Sequence, residues 1–389
     1  MKWFTTYIDE YFTDPEFPSL SFPIVYVKLL KLWDAPRVYY AIPWSLALAL
    51  VSQVIYIPFS GRPLHFFVNM FQTGFFHLGL TKLAFFFWNW DRWNKIIYWL
   101  SGLEREQLRD EQLKTIVSSY IKYNKRTTWY FWLCGMGTFF VNYGENFISV
   151  IVQMETTGVV DPTYVSFFWL WPTEPMTGGR LNVYLYLGFQ FIYAWGGVSY
   201  LLVFDSMSVS VMMTLAGQLE VLRDMFRTAL DEDTEEKQHE SLIKCYKRYI
   251  DILDTHKLSN ELMSPVLFLY LLVASINMSL ILFSLPKLGL SATITSVELV
   301  ASLIVEAFYY YWHGQQVLYQ SEIISAAVYE CDWVDKSAAI RRLVYIMSST
   351  TDKRLIYQAG PFNDVTVATF ISCVKVTYSF YKLMTTTVS

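Results

Sequence analysis

Residues 181–204 read LNVYLYLGFQFIYAWGGVSYLLVF, 24 residues without Asp, Glu, Lys or Arg between Arg180 and Asp205. As a helix rising 1.5 Å per residue, this run is long enough to cross about 30 Å of hydrocarbon. Three more uncharged runs bounded by charges have similar length: Val38 to Gly61 (24 residues), Pro63 to Thr81 (19) and Leu262 to Pro286 (25). Thr127 to Gly144 (18 residues) is a fifth, continuing past Glu145 to Met154. Two longer apolar stretches are interrupted: Leu288 to Ser321 by Glu298 and Glu306, and Val365 to Met384 by Lys375 and Lys382. Seven spans is the most economical reading, and it makes the chain an all-α membrane protein.

Composition agrees. The chain has 389 residues, of which 16% are charged and 18% aromatic, with a net charge of −4. Soluble domains average about 25% charged residues. These values exclude a disordered chain, a nucleic-acid binder that relies on bulk positive charge, and a cysteine-rich secreted scaffold. The first sixteen residues, with Asp9, Glu10, Asp14 and Glu16, do not read as a cleavable signal peptide.

Lys and Arg set the expected orientation. Twenty-four of them fall in the N-terminal segment and the second, fourth and sixth connections, against Arg62, Arg180 and Lys287 in the others. Cations collect on the cytoplasmic side, so the N-terminus is expected inside and the C-terminus outside. This is the reverse of a G-protein-coupled receptor. Cys245 and Cys331 fall in the expected cytoplasmic loops and Cys134 and Cys373 inside spans, leaving none where an oxidising medium favours a disulfide.

The cytoplasmic connections show helical spacing: Leu219, Leu222, Met225, Phe226 and Ala229; Leu242, Cys245, Tyr246, Tyr249, Ile252 and Leu253; Leu113, Ile116, Val117, Tyr120 and Ile121; and Ile340, Leu343, Val344 and Met347. Asp231 to Glu240 reads as a solvated turn between two of them. Their apolar faces pack either into a helical layer beneath the membrane bundle or on the inner leaflet. The expected division is a cytoplasmic segment 1–37 and spans one to six over 38–321, with helical loops at about 89–126 and 214–261. A cytoplasmic loop with an anchor helix follows at 322–362, then the last span and a short outer C-terminus at 363–389.

Function is sought first in intramembrane charge. In the last span Thr369, Ser372, Lys375, Ser379, Lys382 and Thr386 recur at helical steps, stacking on one face opposite Val367, Phe370, Ile371, Val374, Tyr381 and Leu383. One reading is a pore-lining helix. The other is that Lys382 snorkels to the outer interface while Lys375 pairs with Glu145 or Glu298. Aromatic residues crowd the expected outer halves of spans two to four: Phe66, Phe67, Met70, Phe71 and Phe75; Phe139, Phe140, Tyr143 and Phe147; Tyr184, Tyr186, Phe189 and Tyr193. Such rings either pack and face lipid, or wall an apolar ligand cavity in which Asn142, Gln190 or Glu298 orients the ligand. Gly144, Thr295 and Leu299 complete the candidate ligand set. Enzyme motifs are absent: the five His form no pair at ligand spacing, and neither a phosphate loop nor a nucleophile elbow is present, so no catalytic residue, metal or cofactor is expected. No internal repeat supports a transporter, which stays open as an alternative.

Tyr309-Tyr310-Tyr311-Trp312-His313-Gly314-Gln315-Gln316-Val317, then Gln320-Ser321-Glu322 and Ala327-Val328-Tyr329-Glu330-Cys331-Asp332-Trp333, resemble the sixth span and following loop of insect odorant receptors. Gly360-Pro361-Phe362, Phe370, Lys375, Thr377-Tyr378-Ser379-Phe380-Tyr381 and Leu383 are similar to that family's last helix. Gustatory receptors of the same superfamily have a Gln-Phe pair after Thr-Tyr, which is missing here. The short fourth loop, Gly217 to Glu261, lacks the insertion of the family's co-receptor, so the chain resembles a ligand-tuning subunit.

The resemblance implies an odorant-gated, non-selective cation channel in the plasma membrane of an olfactory neuron. It would be a heterotetramer with the co-receptor Orco, needing no G protein and binding no nucleic acid. A small volatile odorant would sit in the outer half of the bundle, and Ser372, Lys375, Ser379, Lys382 and Thr386 would line the pore. Its narrow gate aligns at about Lys382 and Thr386, where the co-receptor is expected to be apolar.

Overall fold

The computed structural model describes residues 13–29, 78–158, 180–284 and 290–388, with the single positions 33, 44, 48, 51 and 55. The first expected span and most of the second lie outside the described residues, apart from helical positions at Trp44, Leu48, Val51 and Ile55. The elements in chain order are α1 (Ser21–Leu29), α2 (Leu78–Trp88), α3 (Trp90–Gln107), α4 (Lys114–Thr156), α5 (Arg180–Thr228), α6 (Glu235–Ser284), α7 (Leu290–Glu322), α8 (Ile324–Glu330), α9 (Ala338–Thr350), β1 (Gln358–Ala359), β2 (Asn363–Asp364) and α10 (Val367–Val388). The fold is all-α, with one antiparallel two-residue hairpin.

Three helices are far longer than a bilayer requires. With 43, 49 and 50 residues, α4, α5 and α6 run on for tens of ångströms past the about 30 Å of hydrocarbon. Among the described residues, Arg180–Thr228 and Glu235–Phe283 are long and apolar enough to cross a membrane. The apolar positions Leu219, Leu222, Phe226, Leu242, Cys245, Tyr249 and Ile252 are all buried in one core with Ile340, Val344 and Met347 of α9. The acidic turn is shorter than expected: it ends at Thr234, and Glu235 and Glu236 form the first turn of α6, where carboxylates complement the exposed N–H groups of the helix.

α5 is the hub, packing against α1, α4, α6, α7 and α8. Every residue from Ser199 to Leu215 is buried, which accounts for the absence of a one-sided apolar stripe. Ser337 caps α9 by accepting from Ile340 N at 3.3 Å. The hairpin before α10 docks on α6, with Gln358 N donating to Asn260 Oδ1 at 2.8 Å and Gly360 N to Ser264 Oγ at 3.0 Å. Gly360 has φ +70°, and a Cβ there would stand 2.7 Å from the Phe268 ring, so both backbone and space demand glycine. Likewise a Cβ on Gly314 would meet Val365 O at 2.7 Å, so α7 is pressed against the chain where α10 begins.

Candidate functional site

Between α4 and the N-terminal half of α5 lies a groove of about 460 Å³, lined by Tyr143, Gly144, Phe147, Tyr184, Gly188 and Phe191. Tyr143 is held across it by donating its hydroxyl to Leu187 O at 2.6 Å, and its ring stands 5.0 Å from Phe191 and 6.2 Å from Phe147. With that hydroxyl engaged, the walls present aromatic faces and no charge. Such a surface suits a small, flat, apolar molecule. Among the described residues nothing lies within 4 Å of where a Cβ on Gly144 or Gly188 would stand, so these two glycines leave the groove its space.

Of the residues singled out from the sequence, Tyr143, Gly144 and Phe147 meet here; Tyr184 joins them, and Phe191 and Gly188 were not anticipated. Phe140 points away, exposed and edge-on to Trp195 at 5.7 Å. Phe189 and Leu299 are half-buried outside the lining. Glu298 accepts from Asn142 Nδ2 at 2.5 Å, bridging α7 to α4. Phe66, Phe67, Met70, Phe71 and Phe75, and the side chains of Gln190, Tyr193 and Thr295, lie outside the described residues.

α10 rests on α6 and α7 by one narrow face. Phe370 packs on Phe308 and Tyr311 at 5.7 and 5.8 Å, Cys373 Sγ lies 3.9 Å from the Tyr311 hydroxyl, and Thr377 is buried. At about 100° per residue these positions stand roughly opposite Ser372, Lys375, Ser379 and Lys382, which are exposed. The Thr386 side chain lies outside the described residues. Ile371 and Val374 depart from the expected packed face: they are exposed, because a helix at the edge of its bundle touches its neighbours over only part of its circumference. Lys375 forms no ion pair among the described residues, and Glu298 is engaged with Asn142 instead.

The C-terminal half of α5 holds what sequence reasoning missed. Lys82, the cation that follows the uncharged run ending at Thr81, is fully buried and donates to Asp205 Oδ1 at 2.7 Å and Glu306 Oε1 at 2.6 Å. A signal was there to find: Lys82 and Asp205 are the charges that end the runs Pro63 to Thr81 and Leu181 to Phe204. Further along α5 a polar ladder continues. Asn124 donates to Ser210 O at 3.1 Å and to Thr214 Oγ1 at 3.3 Å, Ser19 and Thr214 share a hydroxyl contact of 2.8 Å, and Gln218 donates to Gln107 at 2.7 Å and Tyr120 at 2.8 Å. Glu104 Oε2 accepts from Ser19 N at 3.1 Å. Burial pushes the Glu104 carboxyl up to about 7, against the opposing pull of its hydrogen bonds to Ser19 and Tyr120 and of the Lys125 charge. Among the described residues no group of three His, Cys, Asp or Glu is placed to hold a metal.

A family model described as 7tm Odorant receptor matches residues 62–378. Odorant receptor Or2 of Anopheles gambiae is 24% identical over 148 residues, covering 38% of this chain and 37% of that protein. Odorant receptor 10 of Aedes albopictus is 24% identical over 172 residues, covering 44% and 45%. The chain thus spans less than half the length of these curated relatives. The solved olfactory receptor OR5 from Machilis hrabei superposes with a TM-score of 0.74 at 12% identity, covering 90% of this chain and 88% of that one, which establishes the likeness of fold. From the match of the family model over most of its length, the chain is an all-α membrane protein belonging to the odorant receptor family.

Proposed function

We propose that this chain is the ligand-tuning subunit of an odorant-gated, non-selective cation channel assembled with the co-receptor Orco, in the plasma membrane with its N-terminus in the cytoplasm. The single observation that carries the reading is α10. It is fastened by Phe370, Cys373 and Thr377, while Ser372, Lys375 and Ser379 on the opposite face are exposed. In a bilayer an exposed face holding Lys375, which has no ion pair among the described residues, demands water or another subunit. A central aqueous pore supplies both.

The α4–α5 groove is the proposed odorant site. The Machilis hrabei receptor has also been solved in complex with eugenol, a small aromatic volatile, and that complex superposes with a TM-score of 0.64. A ligand of that size gains only several kcal/mol from burying apolar area at about 25 cal/mol per Å². Shape complementarity to Tyr143, Phe147, Tyr184 and Phe191 must therefore do much of the discrimination, and binding opens the pore only by favouring the open state over the closed.

Whole-cell recording with a panel of aromatic, ester, ketone and amine odorants tests the reading. The expected result is an evoked cation current that requires co-expressed Orco and persists when intracellular nucleotides are removed. Uptake of labelled solute without Orco, and no current with it, would point to a transporter.

A further inference from the structure

The buried cluster around Lys82 joins four helices. Its ammonium, on α2, bridges Asp205 of α5 and Glu306 of α7 and stands 4.7 Å from the ring centroid of Tyr270 on α6. The Tyr310 hydroxyl donates to the same Asp205 Oδ1 at 2.6 Å, and the Tyr270 hydroxyl to Leu303 O at 2.8 Å, closing the ring of contacts back on α7. The next residue reaches the other way: Tyr311 touches Cys373 and Phe370 of α10. Consecutive tyrosines thus link the cluster to the last helix.

Packing changes across this point. Toward the C-terminus of α5 every residue from Ser199 to Leu215 is buried; toward its N-terminus Leu181, Leu185, Gly188 and Ile192 are exposed beside the groove. Pulling apart a desolvated Lys–carboxylate pair costs about as much as the burial of a small odorant supplies in total. Ligand binding in the groove therefore cannot open the cluster, and any displacement it drives must turn about it.

Resting on the channel reading above, we propose that Lys82, Asp205, Glu306 and Tyr310 form the fixed fulcrum of gating. α2, α5 and α7 stay clamped there while their far ends and α10 move. Tyr310 is a positioning residue in this account, converting tilt of α5 and α7 into displacement of α10 through Tyr311.

A disulfide across the clamp tests it. A Cβ on Gly79 of α2 would lie 3.6 Å from Leu201 Cβ on α5, within the span that a disulfide bridges. The channel with Gly79→Cys and Leu201→Cys, co-expressed with Orco, is compared oxidised and after dithiothreitol, with the single-cysteine channels as controls. The fulcrum predicts odorant EC50 and peak current changed less than twofold by cross-linking. A tenfold loss of evoked current on oxidation, restored by reduction, would overturn it. Tyr310→Phe gives an independent reading, keeping the ring and losing only the hydroxyl. Its EC50 is expected to rise about fivefold at unchanged surface expression, and an unchanged EC50 would also overturn the proposal. If the wild-type pair gives no odorant current at all, it is the channel reading that has failed, not the fulcrum.

Discussion

The two halves of α5 are built on opposite terms. Around the groove its Leu181, Tyr184, Leu185 and Ile192 are exposed, and among the described residues nothing stands within 4 Å of where a Cβ on Gly144 or Gly188 would lie. Beyond Ser199 the same helix is enclosed, and a Cβ on Gly135 or Gly217 would overlap Leu202 or Tyr120 at 2.5 Å. Polar groups sort the same way. The groove is lined by no charged side chain and by two tyrosines, of which Tyr143 has its hydroxyl engaged, whereas the enclosed half holds Asp205, Ser210, Thr214 and Gln218 in hydrogen bonds with five other elements or segments. The proposed ligand groove is under-packed and undemanding. A region meant to stay put is filled, and its buried polar atoms make separation costly.

Breaking the enclosed half should have the largest effect. Lys82→Met strands two buried carboxylates, and removing one partner of a buried pair costs about 3–5 kcal/mol. The expected outcome is loss of folded receptor, read by size-exclusion chromatography and melting of a fluorescently tagged protein. Adding Asp205→Asn and Glu306→Gln, which removes the stranded charges, should recover much of that loss.

Next in size is a pH effect from Glu104. Its folded pKa, about 7, lies above the unfolded value near 4.5. The folded state therefore binds the proton more tightly, and this group's stabilisation is full below about pH 4.5 and lost as pH rises through about 7, amounting to about 3 kcal/mol at most. Glu104→Gln should flatten the melting temperature between pH 5 and 8 and raise it at pH 8. A wild-type melting temperature that does not fall across that interval contradicts the assignment.

The smallest effect on stability belongs to the groove. Gly188→Ala meets no atom among the described residues and replaces glycine inside a helix, so stability should be unchanged or improved by about 0.5–1 kcal/mol. The odorant response should nevertheless shift toward smaller ligands. A loss of stability without a shift in ligand preference would erase the contrast between the two halves.

Much of this was legible in the sequence because membranes enforce simple rules. Apolar stretches of bilayer length, the last two interrupted by charges, fall on the helices α4, α5, α6, α7 and α10, and helical spacing marked the apolar face of α9. Tyr143 and Phe147 were singled out by aromatic density on one helix, and they meet at the groove. Phe191 and Gly188 were not, since a groove is made by two helices and depends on which residues leave space. The Lys82 cluster was missed for a related reason: its members are 123 and 101 residues apart in succession, and only the packing of α2, α5 and α7 brings them together. Ile371 and Val374 show the limit of reading a helix as two faces, because an edge helix also has flanks.

The central claim is that the polar stripe of α10 faces a conducting pore. Cysteine substitution along that helix, with a charged methanethiosulfonate reagent applied from outside during odorant-evoked current, tests it most directly. Modification of Ser372→Cys and Ser379→Cys should block or reshape the current of the receptor–Orco channel, while Phe370→Cys and Thr377→Cys should be unaffected beyond the parent channel. Block at the packed positions with none along the stripe would contradict the account.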